Sequence, residues 1–275
     1  MDFIELGKTG EKIPELGMGT WKIGAEPEKS LEALETGISL GMKFIDTAEM
    51  YGTEEIVGKA IKGNEIFVAT KVSPHHFRHD DVIKACEASL ERLDVKQIDL
   101  YQLHWPNKSV PVTETMRAME ELVKSGKVRH IGVSNFSIEE LRDAQLCMKS
   151  SRIVSNQIEY SILDRDPENG MLEFCRKEGV TVIAYSPLAQ GALYKRKNAK
   201  ILGLLESIGK RHKKTPTQVA LNFLLSSGVA AIPKASSKEH VTENAGAVGW
   251  RLTEAERSEV SSFLGGTGKG LQHGS

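Results

Sequence analysis

Short apolar runs rich in Ile and Val recur along the whole chain, each bounded by glycine or polar residues. They are Leu16 to Trp21, Lys43 to Thr47, Ile66 to Val72, Ile98 to Trp105, Val128 to Ser134, Ser155 to Tyr160, Thr181 to Leu188 and Val229 to Ala235. Such runs read as strands buried on both faces. Between them, apolar positions return every three or four residues, as in Val82, Ala85, Cys86, Ser89, Leu90 and Leu93, with charges on the opposite face. That spacing predicts amphipathic helices there and over Pro27 to Leu40, Val112 to Lys124 and Ser137 to Met148. Thr113 and Ser137 precede acidic first turns, while Gly41, Gly126 and Gly179 follow last apolar positions, as helix start and stop signals do.

Eight buried strands alternating with helices over about 250 residues predict an α/β fold, a single (β/α)8 TIM barrel, although an open doubly wound sheet shares the alternation. Ahead of the first barrel strand, Phe3 to Leu6 and Glu11 to Pro14 flank Gly7-Lys8-Thr9-Gly10, the pattern of an N-terminal β-hairpin closing the barrel floor. No linker or shift in composition divides residues 1–275, so one domain is expected, ending in a Gly-rich, flexible tail at 265–275. Its last helix is expected over Thr253 to Leu264.

Composition narrows the function. The 275 residues carry 36 Lys plus Arg against 37 Asp plus Glu, a formal charge of −1, so neither a nucleic acid nor a membrane is expected as partner. The first residues lack the basic and apolar regions of a signal peptide and no run is long enough to span a bilayer, which predicts a cytoplasmic protein, a monomer or weak oligomer. Cys86, Cys147 and Cys175 lie far apart within helical segments, as reduced packing residues do.

Barrels of this kind carry their chemistry at the C-terminal ends of the strands. There the second run ends Phe44-Ile45-Asp46, the third Ala69-Thr70-Lys71, and the fourth Leu103-His104-Trp105, with Tyr51 in the loop five positions after Asp46. Singly, a strand-end Lys is usually a snorkelling surface group and a strand-end His a satisfied core residue. An acid, a base, an imidazole and a phenol on adjacent strands at one face make a functional cluster the better reading.

The segments from Phe44 to Gly52, Ala69-Thr70-Lys71 and Leu103-His104-Trp105-Pro106 resemble the signatures of aldo-keto reductases. The resemblance continues, in order and spacing, through Gly17 to Trp21, Ile131 to Phe136, Ala184 to Leu188 and Ile232-Pro233-Lys234. It implies a catalytic tetrad of Asp46, Tyr51, Lys71 and His104 and reversible hydride transfer between a nicotinamide and a small carbonyl or alcohol. In that scheme Tyr51 is general acid and base. Lys71 lowers the phenol from its ordinary ~10, Asp46 holds Lys71, and His104 hydrogen-bonds the carbonyl oxygen.

The same resemblance assigns the cofactor to Gly19, Thr20 and Asp46. Ser134, Asn135 and Gln157 hold the carboxamide with side chains otherwise unpaired at the barrel mouth, and Tyr185 stacks on the nicotinamide. Ser186, Leu188, Gln190 and Gly191 border the pyrophosphate. Lys234, Ser236, His240, Glu243 and Asn244 lie around the adenosine end. His240 stands where NADPH-preferring members often place an arginine, and Ala235 where a serine is common. The expectation is therefore NADP(H) preferred with NAD(H) accepted. Trp21 and Trp105 are expected as apolar walls beside the carbonyl, or else as packing of the rim. Short segments after Trp105 and after the last helix suggest an open pocket for small aldehydes.

Two other functions fit the strand ends less well: a nicotinamide-sensing subunit without turnover, and a Schiff-base lyase or isomerase with Lys71 as nucleophile. No metal is expected. His75, His76, His79, Asp80 and Asp81 lack ligand spacing and read as a solvated loop before a helix. Gly17-Met18-Gly19 has Lys22 where a dinucleotide fingerprint needs its third glycine, and the Gly-rich tail lacks the residues of a P-loop.

Overall fold

The chain opens with a hairpin, β1 (Phe3–Glu5) antiparallel to β2 (Lys12–Pro14), in the register Phe3↔Pro14 and Glu5↔Lys12. A computed structural model describes residues 1–234 and 236–266. Strands and helices then alternate: β3 (Met18–Gly19), α1 (Pro27–Ser39), β4 (Phe44–Asp46), α2 (Glu54–Ile61), β5 (Phe67–Val72), α3 (His79–Leu93), β6 (Ile98–Leu103) and α4 (Val112–Lys124). The order continues with β7 (Val128–Ser134), α5 (Ile138–Leu146), β8 (Ile153–Glu159), α6 (Met171–Glu178), β9 (Thr181–Tyr185), α7 (Ala199–His212) and α8 (Pro216–Leu225). It ends with β10 (Ala230–Ala231), α9 (Lys238–Ala245) and α10 (Glu254–Gly266).

Strands β3 to β10 pair in parallel in chain order. The ends of that sheet meet. Gly17 N donates to Ala231 O at 2.8 Å, Ala231 N to Glu15 O at 2.8 Å and Gly19 N to Pro233 O at 2.9 Å. The sheet therefore closes into the expected (β/α)8 barrel. Glycine is required at this seam: a Cβ on Gly17 would lie 2.6 Å from Phe44 Cδ1, and one on Gly19 2.8 Å from Ile232 O. The Gly-Met-Gly segment thus serves close strand contact.

The seam also explains the largest departure from the expected strands. The runs Leu16 to Trp21 and Val229 to Ala235 shrink to strands of two residues each, flanked by the single bridges Leu16↔Ala231 and Gly19↔Lys234, and Pro233 has no N–H to donate to the ladder. Ala235 and residues 267–275 lie outside the described residues. Most of the expected tail falls among these, but Gly265 and Gly266 complete α10. Thr113 does not start α4, whose N-cap is Pro111, whereas Ser137 caps α5 with both arms of a capping box to Glu140. Gly41, Gly126 and Gly179 take φ of 87°, 76° and 69°, the left-handed turn that ends a helix.

Strand alternation sorts the apolar side chains into two layers. Those between sheet and helices form the larger cluster. The other joins Phe44, Phe67, Leu100, Val154, Ile183 and Ala230 of the barrel lumen to Leu6 and Ile13 of the hairpin. Leu6 is fully buried, and Thr181 Oγ1 ties the hairpin to β9, donating to Glu5 O at 2.9 Å and accepting from Gly7 N at 2.7 Å. The hairpin thus plugs the floor, and the lumen opens at the C-terminal ends of the strands. No helix among the described residues is long and apolar enough to cross a membrane.

Candidate active site

Parallel pairing places the polar strand ends side by side. Asp46 closes β4, Lys71 is the penultimate residue of β5, and His104 follows β6 directly. Tyr51 ends a 3-10 turn, Glu49–Tyr51, that folds back over β4. Lys71 is 0% and Asp46 2% exposed, so this is a fully buried ion pair: Nζ donates to Asp46 Oδ1 at 2.5 Å and to Thr47 O at 2.8 Å. Burying two charges is tolerated only when their remaining hydrogen-bonding capacity is met. Asp46 Oδ2 accepts from Gln157 Nε2 at 2.7 Å and from Gln102 Nε2 at 3.2 Å.

Above the pair, the Lys71 ammonium lies 5.0 Å from the centre of the Tyr51 ring, and Tyr51 OH is 3.2 Å from His104 Nε2. Burial pushes the Tyr51 phenol above the ordinary tyrosine value; Lys71 pulls it down and Asp46 pushes it up. Lys71 thus lowers this phenol as expected, but burial outweighs it, and in the free protein the net value lies above the ordinary one. The Lys71 ammonium is neutralised by Asp46, and the lost hydration of a phenolate outweighs what remains. Burial, and then the Lys71 charge, brings His104 down to about 4, so its imidazole is neutral at neutral pH. His104 Nδ1 is buried without a partner. A bare lone pair there is less costly than an orphaned N–H, which assigns the proton to Nε2, facing Tyr51.

These groups open into a cavity of about 1000 Å³ at the barrel mouth. Asp46, Tyr51 and His104 line it; Lys71 is sealed beneath. So do Gly19, Thr20, Ser134, Asn135, Gln157, Tyr185, Ser186, Leu188, Gln190, Gly191, Lys234, Ser236, His240, Glu243 and Asn244. Trp21 and Trp105 stand at its edge, 41% and 48% exposed.

The three residues expected to be unpaired are not. Ser134 Oγ donates to Gln157 O at 2.9 Å, Asn135 Nδ2 to His104 O at 3.0 Å, and Gln157 to Asp46. An unpaired buried donor would cost about 1–3 kcal/mol, so the mouth closes its own network. Tyr185 OH donates to Asn135 Oδ1 at 2.9 Å, which fixes the half-buried ring beside the cavity. Beyond β9 the backbone is left-handed at Ser186 (φ 48°), Ala189 (46°), Gln190 (52°) and Gly191 (80°). Successive amides in such turns form concave sites that suit phosphate oxygens.

At the far end, Ser237 caps α9, accepting from His240 N at 3.3 Å, and Asn244 is buried. Glu243 Oε1 accepts from Thr215 Oγ1 at 2.8 Å. Among the described residues the exposed Lys234 ammonium makes no ion pair. The donor set thus suits a long, anionic, amide-bearing ligand.

Sequence reasoning did not assign Lys22, Met50, Glu159, Pro187, Tyr194, Thr217, Ile232 and Pro233 as lining residues. Met50, Pro187, Ile232 and Pro233 lie within the motif segments and Lys22 adjoins one, so these were within reach of the sequence. Tyr194, from the 3-10 segment before α7, and Thr217, from the first turn of α8, are hydrogen-bonded to each other and carry no recognisable signature. A Schiff-base role for Lys71 gains no support, because an ammonium held by Asp46 offers no free amine.

Among the described residues no group of three His, Cys, Asp or Glu side chains is arranged to hold a metal ion. Asp80 and Asp81 belong to the first turn of α3 rather than to a loop, while His76 pairs with Glu49 and His79 with Asp80 and Glu121. Burial pushes the Cys86 and Cys175 thiols up to about 12, far from the reactive thiolate range.

Comparison with known proteins agrees with this geometry. Residues 15–264 match the Aldo/keto reductase family. The methylglyoxal reductase YeaE of Escherichia coli (strain K12) is 38% identical over 256 residues, covering 89% of this chain and 88% of that protein. The crystal structure of a thermostable aldo-keto reductase, Tm1743, in complex with the inhibitor epalrestat superposes with a TM-score of 0.90 at 45% identity, over 95% of this chain and 99% of that one. An aldo-keto reductase from Klebsiella pneumoniae in complex with NADPH gives a TM-score of 0.88 at 34% identity, over 96% and 95% of the two chains. Profile, sequence and fold thus converge on one conclusion: the chain belongs to the aldo/keto reductase family.

Proposed function

We propose that the protein reduces small aldehydes and ketones to alcohols with NADPH, reversibly, with Tyr51 as general acid and base. The observation that carries this reading is the convergence of Tyr51 OH and His104 Nε2, 3.2 Å apart, above the buried Lys71–Asp46 pair and inside the large cavity. A bound nicotinamide supplies or accepts the hydride. Ser134, Asn135 and Gln157 would hold its carboxamide and Tyr185 its ring face. The left-handed turn from Ser186 to Gly191 would hold the pyrophosphate, and Gly19, Thr20, Ser236, Glu243 and Asn244 the remaining contacts.

A carbonyl that gains hydride at carbon develops negative charge on oxygen, and two donors aimed at that point stabilise it. Placed between them, the oxygen accepts hydrogen bonds from Tyr51 OH and His104 Nε2–H. Tyr51 then transfers its proton to the oxygen and is left as phenolate beside the Lys71 ammonium, to be reprotonated from solvent. Its raised value keeps the phenol protonated at neutral pH, the form reduction needs. The neutral His104 donates without competing for that proton.

Lys234, the N-terminus of α9 and His240 would meet a ribose 2′-phosphate, which favours NADP(H). One unpaired lysine and a histidine in place of an arginine leave NAD(H) as a weaker second cofactor. Trp21, Met50 and Trp105, all exposed at the rim, suit small aldehydes and dicarbonyls of the kind acted on by the methylglyoxal reductase relative. The test is loss of reduced-nicotinamide absorbance with methylglyoxal and other small aldehydes, with NADPH and NADH in parallel. Turnover with higher efficiency for NADPH is expected. Equal efficiency or an NADH preference reverses the cofactor ranking, and tight cofactor binding without turnover on any carbonyl contradicts the reductase reading.

A further inference from the structure

Asp46 Oδ1 is taken by Lys71, yet Oδ2 is held by two buried amides at once, Gln157 Nε2 at 2.7 Å and Gln102 Nε2 at 3.2 Å. Gln157 Nε2 also lies 3.4 Å from Gln102 Oε1, so the two side chains and the carboxylate form a closed triangle within the lumen. The two amides differ in one respect: Gln157 lines the cavity, and Gln102, wholly buried, does not. The space Gln102 occupies is kept open by Gly132 of β7, where a Cβ would stand 2.9 Å from Gln102 Cγ and 2.4 Å from Ser155 Oγ. A polar side chain in a barrel lumen otherwise filled by Phe44, Leu100 and Ile183 needs a reason.

We propose that Gln102 is a positioning residue that frees Gln157 for the cofactor. The inference rests on the reductase reading, in which Gln157 turns its amide to the carboxamide of the nicotinamide. In doing so it withdraws a hydrogen bond from Asp46 Oδ2. Gln102 remains, so the carboxylate is never left with an unpaired oxygen, and Lys71 and Tyr51 keep their places. Without Gln102, Gln157 is the last donor to Oδ2 and is retained there, so the cofactor must compete with Asp46 for one amide.

The test is NADP+ affinity of the full-length protein, measured by calorimetry for the unaltered chain, Gln102→Leu, Gln157→Leu and the double variant. Gln102→Leu is expected to weaken NADP+ about tenfold, the scale of a hydrogen bond to a charged group, but less than about twofold once Gln157 is already Leu. A second variant, Gln102→Glu, removes dependence on the Leu protein folding. Its carboxyl, when protonated, donates to Asp46 as the amide does, and when ionised repels it. Asp46 also meets Lys71 of β5, with Tyr51 and His104 beyond, so the unaltered protein is measured at each pH as reference.

Relative to that reference, Gln102→Glu should bind normally at about pH 5.5 and about tenfold more weakly at about pH 8.5. Unchanged affinity in Gln102→Leu, equal losses with and without Gln157, or a Gln102→Glu affinity independent of pH each overturns the inference alone. Absence of NADP+ binding by the unaltered protein overturns the reductase reading, and this inference with it.

Discussion

The two ends of the barrel use the same strands and opposite physics. At the floor, Leu6 and Ile13 fill the lumen with apolar side chains, and the ion pairs reach water through Arg129. There Arg129, 44% exposed, bridges Glu11 and Asp99, with His130 on Glu11. At the mouth the charges lie inside, Lys71 and Asp46 beneath a cavity, with strained left-handed backbone beside them at Ser186, Ala189 and Gln190. Three non-glycine residues in that conformation carry about 1–2 kcal/mol each of steric cost. The floor is arranged for stability; the mouth concentrates buried charge and strained backbone, the features expected of a candidate functional site.

Removing one charge at the mouth should do the greatest damage to stability. Lys71→Met leaves Asp46 ionised, buried and without its cation, and should lower the free energy of unfolding by about 3–5 kcal/mol in denaturant titration at neutral pH. A deficit of about 1 kcal/mol or less, the scale of an exposed pair, contradicts the ion-pair account. At the floor, Leu6→Ala should cost about 3 kcal/mol by loss of packing, with turnover per folded molecule unchanged. A matching loss of turnover would show that the two ends are not separable.

His104 gives a smaller, pH-bound effect. Its value in the folded protein, about 4, lies below the ordinary histidine value of 6.5, so the unfolded chain binds the proton more readily between these limits. Stability should therefore fall as pH drops from about 6.5 to about 4, by roughly 2–3 kcal/mol, and His104→Gln should flatten that part of the profile. An identical acid profile in the variant would place the titration elsewhere. The smallest effect belongs to the exposed floor: Arg129→Ala should cost about 1 kcal/mol or less, diminishing with added salt. A loss as large as that of Lys71→Met would erase the contrast between buried and exposed charge.

The same contrast separates what the sequence makes legible from what it hides. Apolar runs ending in Asp46, Lys71 and His104 announce both a barrel and its candidate site, because strand period and strand-end chemistry are local properties. α4 runs from Val112 to Lys124, the limits its amphipathic spacing predicts. Nothing local shows that β3 and β10 pair over only two residues each, since the seam depends on Pro233 meeting Gly19 across the whole chain. Nor does it reveal that Gln102 and Gln157, 55 residues apart, share one carboxylate oxygen, which follows from strand stagger around the lumen. The net balance at the Tyr51 phenol is hidden for a related reason. Lys71 is visible in the sequence, but the burial that outweighs it is a property of the folded mouth.

The central claim is that Tyr51 moves the proton while the surrounding residues hold the cofactor. The most direct measurement is methylglyoxal-dependent NADPH oxidation by Tyr51→Phe beside NADPH affinity of the same preparation. Phenylalanine keeps the ring against Lys71 and removes only the donor. Turnover should fall by at least about 10³-fold with affinity within a few-fold of the unaltered protein. Full activity in Tyr51→Phe, with the protein folded and NADPH bound, would contradict the account.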